Sequence, residues 1–458
     1  MADAKQNGRE TYRVIVLSRD GTKVLLVPNG VRHTLPSVGI PRWERVAEKL
    51  TAAIRSDWGE EVVCLFETET APPTDGVRYQ TAEHLRTRSN PAMATRWVPV
   101  SALCQESLTD ARDYSALEQA IQVCDVENGP FSRLGWFSEL RTWIESVVEP
   151  MGLHVSGEFR QLNASPSFSL VRFETDGPAL WFKAVGKPNL REFPVTLTLT
   201  GLFPKYLPQI FAVQAECNGW LTPEIEGTSL SETQGITSWE AAAVALAKLQ
   251  IESINASAPI LKSGAHNLQT PAISKQVDPF LDVMRRLMEQ QTKATPRALS
   301  RKELALLGEH IRNALRLIKT SDIPDCLGSL DFNPGNIIAS QNGCKFLDWA
   351  EAYVGHPFLT FAYLQEHFRR AVAGNGNLER QLTTSYTAPW KQLFSPDAIA
   401  ESITAAPLLA VFAYASGCGL CSEERLRDPE NAAYLRGLTR RMNREANEMQ
   451  DRRSACLS

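Results

Sequence analysis

The sequence predicts an α+β chain: an α/β domain first, then a small β-rich lobe, then a larger helical lobe. Three observations predict it. Short β-branched and apolar runs bounded by turn residues dominate the first half, as in Tyr12-Arg13-Val14-Ile15-Val16-Leu17 and Leu180-Trp181-Phe182-Lys183-Ala184-Val185. Apolar residues at helical spacing dominate from about residue 229 onward. Between them in character, one hairpin near residue 340 carries a carboxylate, an amide and a second carboxylate at its mouth.

With 458 residues the chain is expected to form two or three domains, and 43% hydrophobic content suits packed cores. A net charge of −4 predicts neither a nucleic-acid nor a membrane partner. Met1-Ala2-Asp3-Ala4-Lys5 is polar, so no secretory signal is expected. No apolar run is expected to approach the ~20 residues that span a bilayer. Nine scattered cysteines fit reduced thiols in a cytoplasmic protein. Cys418-Gly419-Leu420-Cys421 is the one CxxC; no second pair or nearby histidine follows it, so it reads as structural thiols.

The first domain covers residues 1–125. Strands are predicted at 12–17 and 23–27 around an Asp20-Gly21 turn, then at 61–66 and 95–100. A helix at 43–58 places Val46, Leu50, Ala53 and Ile54 on one face, and a closing helix follows at 114–124. Val126-Glu127-Asn128-Gly129-Pro130 has linker composition. Within the span 126–150, an amphipathic helix at 132–147 then aligns Leu134, Phe137, Leu140, Trp143 and Val147. The order of strands, Leu35-Pro36-Ser37-Val38-Gly39, helix, Gly59 and strand resembles the front half of a Nudix fold, an α/β sandwich. Trp97-Val98-Pro99 is similar to that family's last-strand junction. The Nudix helix carries R-E-x-x-E-E; aligned on Gly59, its glutamate positions hold Ala53, Ser56 and Asp57. One aspartate cannot replace a three-carboxylate magnesium site. Glu44 and Glu48 read as solvated helix charges. The resemblance therefore implies a non-hydrolytic domain that packs, senses a ligand or forms a homodimer.

The β-rich lobe covers 151–227. Strands at 159–162 and 168–173 flank Asn163-Ala164-Ser165-Pro166-Ser167, which alone reads as an ordinary hairpin turn. Lys183 is notable, because a lysine inside an apolar strand wants a charged partner or snorkels to water. Glu192, opening a helix toward Leu199 and Leu202, is the candidate partner, or else a helix N-terminal charge. Pro223 marks a strand edge or hinge in Gly219-Trp220-Leu221-Thr222-Pro223.

The helical lobe covers 228–458, with helices predicted at 239–249, 279–290 and 301–318. Pro389, Pro396, Pro407 and Pro429 are expected to interrupt later helices, and 440–453 reads as a solvated or frayed helix. Its informative stretch is Leu327-Gly328-Ser329-Leu330-Asp331-Phe332-Asn333-Pro334-Gly335-Asn336, a strand, the turn Asn342-Gly343, and Phe346-Leu347-Asp348-Trp349. Phosphoryl transfer from ATP needs such a set: a carboxylate to orient the attacking hydroxyl (Asp331), and an amide and a second carboxylate to hold magnesium (Asn336 and Asp348). Otherwise Asp331 and Asn336 only shape an Asx-rich turn.

This stretch resembles the aminoglycoside phosphotransferase and choline kinase family, whose loops read H-x-D-x-x-x-x-N and I-D-W. The resemblance covers about 150–420 and implies a two-lobed protein-kinase-like fold using ATP and Mg2+. It implies that Lys183, set by Glu192, holds phosphate oxygens, that Ser165 and Ser167 lie over the phosphates, and that backbone near 222–225 meets adenine. Glu226 would hold ribose or substrate, or is a surface charge. His356 of Gly355-His356-Pro357 is structural or a substrate contact. Ser329 stands where the family has histidine, which puts loop rigidity in question.

The function implied is a small-molecule kinase acting on a hydroxyl. The competing reading is a nucleotide-binding regulatory protein without transfer, favoured by Ser329 and by the lack of a glycine-rich loop. A Nudix hydrolase is disfavoured by Ala53 and Ser56. Acids and bases are balanced in the helical lobe, which favours a neutral or weakly charged acceptor over a polycation.

Overall fold

The computed structural model describes residues 8–42, 44–68, 76–88, 93–123, 131–233 and 235–457. The linker expected at 125–131 lies, except for Phe131, outside these residues. The chain divides into two compact units, one of residues 1–193 and 209–224, the other of residues 194–208 and 225–458.

The first unit contains a seven-stranded sheet. Its path runs Arg32–Thr34, Lys23–Asn29, Arg9–Leu17, Val77–Thr87, Glu60–Thr68, with Ser37–Pro41 and Arg96–Pro99 pairing off it. Strand alternation sends successive side chains to opposite faces. Val14 and Val16 pack with Leu50, Ile54 and Trp58 of the helix Val46–Trp58. Ile15 and Leu17 pack with Leu117 of the helix Ala111–Val123 and with Phe137, Leu140 and Ile144 of the helix Trp136–Val148. The result is an α/β sandwich. Val77–Thr87, an eleven-residue strand parallel to Arg9–Leu17, was absent from the sequence expectation.

The same unit holds a five-stranded antiparallel sheet ordered Ala212–Gln214, Gly219–Pro223, Leu180–Val185, Phe168–Thr175, Val155–Ser165. The helix Trp136–Val148 serves both sheets, with Phe137 stacked on Phe173 at 5.7 Å. Gln161, almost wholly buried, joins them by hydrogen bonds. Its amide carbonyl accepts from Cys64 N at 2.7 Å and its NH2 donates to Cys64 O at 2.8 Å. The side chain thereby satisfies the edge strand Glu60–Thr68 as a neighbouring strand would. Pro223 is paired on one side only, opposite Leu180, because the pairing with Ala212–Gln214 stops at Leu221; it therefore lies at a local strand edge, as expected.

The second unit is mainly helical. Thr237–Glu252, Val277–Glu289 and Arg301–Thr320 occupy the predicted places, the last started by a reciprocal cap between Ser300 and Glu303. Two later expectations are corrected. Pro407 does not interrupt a helix: it lies inside Pro396–Gly417, whose tightly buried Leu408, Leu409, Val411 and Phe412 hold the helix through the missing N–H. Residues 440–453 are not a frayed tail: within Pro429–Leu457 they bury Met442, Ala446 and Met449, an apolar stripe at helical spacing. Pro396–Gly417 is also long and apolar enough to cross a membrane by length and composition, contrary to the expectation that no such run exists. Its window is 61% buried, as a core helix would be.

Two small sheets frame the hairpin. Thr228–Ser229, Ile337–Ser340 and Gly343–Phe346 form one; His266–Leu268, Ala352–Gly355 and Cys326–Ser329 form the other.

Candidate active site

Asp331 follows the strand Cys326–Ser329 on an exposed loop, Asn336 closes the turn Pro334–Asn336, and Asp348 follows the strand Gly343–Phe346. Backbone hydrogen bonds bring them together. Leu347 N donates to Asn336 O at 2.8 Å, extending the ladder in which Ile337 faces Phe346. Leu330 N donates to Glu351 O at 3.0 Å, beyond the pairing of Ser329 with Ala352. So Asn336 lies across from the residue before Asp348, and Asp331 leaves a strand braced by the segment after Asp348. Asp348 has left-handed backbone, φ 59°. Few non-glycine residues adopt that region, aspartate among the more tolerant.

Ser329, which stands where the histidine was expected, contacts the loop directly. Its hydroxyl accepts from Asp331 N at 3.3 Å, within the loop itself. Below, the Thr360 hydroxyl accepts from Ser329 N at 3.0 Å and lies 2.9 Å from the Tyr353 hydroxyl. All three residues are buried. Gly328 makes this packing possible, because a Cβ there would stand 2.2 Å from the Tyr353 ring. Thr360 and Tyr353 carried no sequence signal: they lie 31 and 24 residues from Ser329 and read as ordinary helix and strand positions.

His356 is buried, with its Nε2 3.4 Å from the Ser402 hydroxyl, and burial pushes its pKa down to about 3. It is a neutral structural residue. Asp325, just before the strand Cys326–Ser329, is pushed up to about 6 by burial, although it accepts from the backbone N–H of Thr270. Lys345 in the hairpin donates to Pro204 O at 2.9 Å and Leu207 O at 2.8 Å, and burial lowers its pKa.

In the first unit, Lys183 Nζ lies 2.5 Å from Glu192 Oε1, with side chains 16% and 2% exposed. The ammonium also stands 5.5 Å from the Phe168 ring centre and 5.9 Å from that of Trp220. This is a paired, largely desolvated lysine rather than a snorkelling one. The turn Ser165-Pro166-Ser167 is tight: the two hydroxyls are 2.8 Å apart, and Gly186 N donates to Ser167 O at 2.9 Å. The chain passes from the first unit to the second between Glu224 and Ile225. Glu226 is exposed; Glu224 instead pairs with Arg172 at 2.6 Å.

On the helix Val46–Trp58, Glu48 pairs with Arg160, and Glu44 lies 3.4 Å from Lys49. Ser56 donates to Asp57 Oδ1 at 2.6 Å.

No protein-family model matches the chain, and no curated protein sequence matches it. Among solved structures it is similar to a macrolide 2'-phosphotransferase type I, at 17% identity over 65% of this chain and 95% of that one, with a TM-score of 0.43. It is also similar to choline kinase from Cryptosporidium parvum Iowa II, at 14% identity over 73% and 96%, TM-score 0.45. A Plasmodium vivax ethanolamine kinase gives 10% identity over 72% and 93%, TM-score 0.45.

Proposed function

We propose that the protein is an ATP- and Mg2+-dependent phosphotransferase that moves a γ-phosphoryl group to a hydroxyl of a small molecule. The observation that supports this best is the meeting of Asp331, Asn336 and Asp348 at one hairpin mouth. The donor set suits magnesium: an amide oxygen from Asn336 and a carboxylate from Asp348, hard oxygen ligands without sulfur or imidazole. Bound magnesium would neutralise charge on the triphosphate. Asp331 accepts or orients the proton of the acceptor hydroxyl, held by Ser329 at its own backbone N–H. Lys183, kept extended by Glu192, binds phosphate oxygens. Catalysis then consists of positioning and charge stabilisation.

The N-terminal sandwich is read as Nudix-like and non-hydrolytic. Its helix offers Ala53, Ser56 and Asp57 where three carboxylates would be needed, and Glu48 is engaged by Arg160. A regulatory nucleotide binder is the second reading, favoured by the tight, glycine-free turn at Ser165-Pro166-Ser167. The deciding experiment is ATP turnover against a panel of small alcohols, sugars and amino alcohols, with wild type and Asp331→Ala. Acceptor-dependent ADP release by wild type alone supports phosphotransfer. ATP binding with no turnover on any acceptor favours the regulatory reading.

A further inference from the structure

One cysteine of the CxxC pair, Cys418, gains in space the candidate co-ligands that the sequence did not show. Among the described residues, His266, Glu351 and Cys418 form a group whose ligand atoms all lie within 4.8 Å of one another. Three separate elements deliver them. His266 opens the strand His266–Leu268, which runs parallel to Ala352–Gly355 with His266 facing Tyr353. Glu351 immediately precedes that second strand, and its Oε2 stands 3.1 Å from His266 Nε2. Cys418 ends the helix Pro396–Gly417, its N–H donating to Tyr414 O at 3.4 Å. The residue before it, Gly417, packs closely on the strand His266–Leu268. A Cβ on Gly417 would lie 2.6 Å from Leu268 Cδ2, so the helix end rests directly on the histidine's strand.

We propose that His266, Glu351 and Cys418 bind a zinc-class divalent ion. An imidazole, a thiolate and a carboxylate are a mixed nitrogen, sulfur and oxygen set that suits zinc and disfavours magnesium. Tetrahedral zinc places its ligand atoms roughly 3.3–3.7 Å apart, given bonds of about 2.0–2.3 Å. The observed separations, 3.1 Å between His266 Nε2 and Glu351 Oε2 and no pair beyond 4.8 Å, bracket that spacing. The His266 and Glu351 side chains are 10% and 29% exposed, so the site is recessed yet reachable by solvent, and water would supply a fourth ligand. On binding, the Cys418 thiol loses its proton to solvent and the sulfur bonds the metal; no electron transfer is involved. Cys418 is not in a disulfide. Through Glu351, whose carbonyl accepts from Leu330 N at 3.0 Å, the bound ion would stiffen the floor beneath Asp331. Metal binding here does not depend on the phosphotransferase reading.

The test is titration of the metal-free, reduced full-length protein with Co2+, followed by displacement with Zn2+. The expected result is one equivalent with a thiolate-to-cobalt absorption band. Cys418→Ser should abolish the band and weaken zinc binding by about 100-fold or more, since losing even an outer partner costs roughly 10–100-fold. His266→Gln should weaken zinc binding comparably, and Cys421→Ser should leave both band and affinity unchanged. The two ligand variants test the site independently should one fail to fold. The proposal is overturned if wild type shows no saturable cobalt band. A band that survives Cys418→Ser, or that depends on Cys421 alone, overturns it equally.

Discussion

The helix Val46–Trp58 and the hairpin bearing Asp331 and Asp348 are both well packed, yet they treat their acids in opposite ways. The helix buries Leu50, Ile54 and Trp58 against its sheet. Its acidic residues serve other purposes: Glu48 meets Arg160, and Asp57 accepts from Ser56. The hairpin instead gathers a carboxylate, an amide and a second carboxylate onto a backbone braced at Leu330, Asn336 and Leu347. The helix thus ties its acids to neighbouring side chains, while the hairpin uses buried polar contacts at Ser329, Thr360 and Tyr353 to place one loop. Architecture alone does not separate the two regions; the use made of their acids does.

The largest expected effect is at the hairpin. Asp331→Ala should lower turnover about 10²–10⁴-fold while ATP affinity stays near wild type, as measured by steady-state kinetics beside calorimetry. If that variant keeps its rate, the contrast between hairpin and helix collapses. Next comes Lys183→Met, which removes the cation beside a buried Glu192. Urea unfolding should show a loss of about 3 kcal/mol, because breaking a buried pair strands the remaining charge. A loss under about 1 kcal/mol would place Lys183 among ordinary exposed charges.

Asp325 sharpens the comparison through pH. Its folded pKa, about 6, stands above the unfolded value of about 3.9, so the folded state holds the proton more tightly. The advantage is complete below about pH 4 and is lost as pH rises through about 6. Asp325→Asn should therefore raise stability by about 1–3 kcal/mol at pH 7.5 and by nothing at pH 3.5. An equal gain at both pH values would show that folding does not raise the Asp325 pKa. The smallest effect belongs to the helix. Asp57→Ala should leave stability within about 0.5 kcal/mol and nucleoside-diphosphate hydrolysis at background. Measurable hydrolysis that this variant loses would reverse the reading of the sandwich.

Sequence legibility followed the same divide. The hairpin itself was readable because apolar runs flank Asn342-Gly343, and Ile337–Ser340 does pair with Gly343–Phe346. The strands Arg9–Leu17 and Leu180–Val185 were readable because their apolar alternation is plain. Val77–Thr87 was hidden because it buries Gln80, Thr81 and Glu83 in a sheet interior, against every hydrophobic cue. Pro407 was misread because tertiary packing outweighs a single missing hydrogen bond. His266 could not be tied to Cys418, since 152 residues separate them; parallel pairing brings His266 to Glu351, and the end of the helix Pro396–Gly417, packed on Leu268, brings Cys418.

The central claim, that the hairpin holds a metal for a nucleotide, is tested most directly by calorimetry of ATP binding with and without Mg2+, on wild type and Asp348→Asn. The account predicts Mg2+-dependent binding by wild type that the variant loses. Binding that is indifferent to Mg2+, or that Asp348→Asn retains in full, would contradict it.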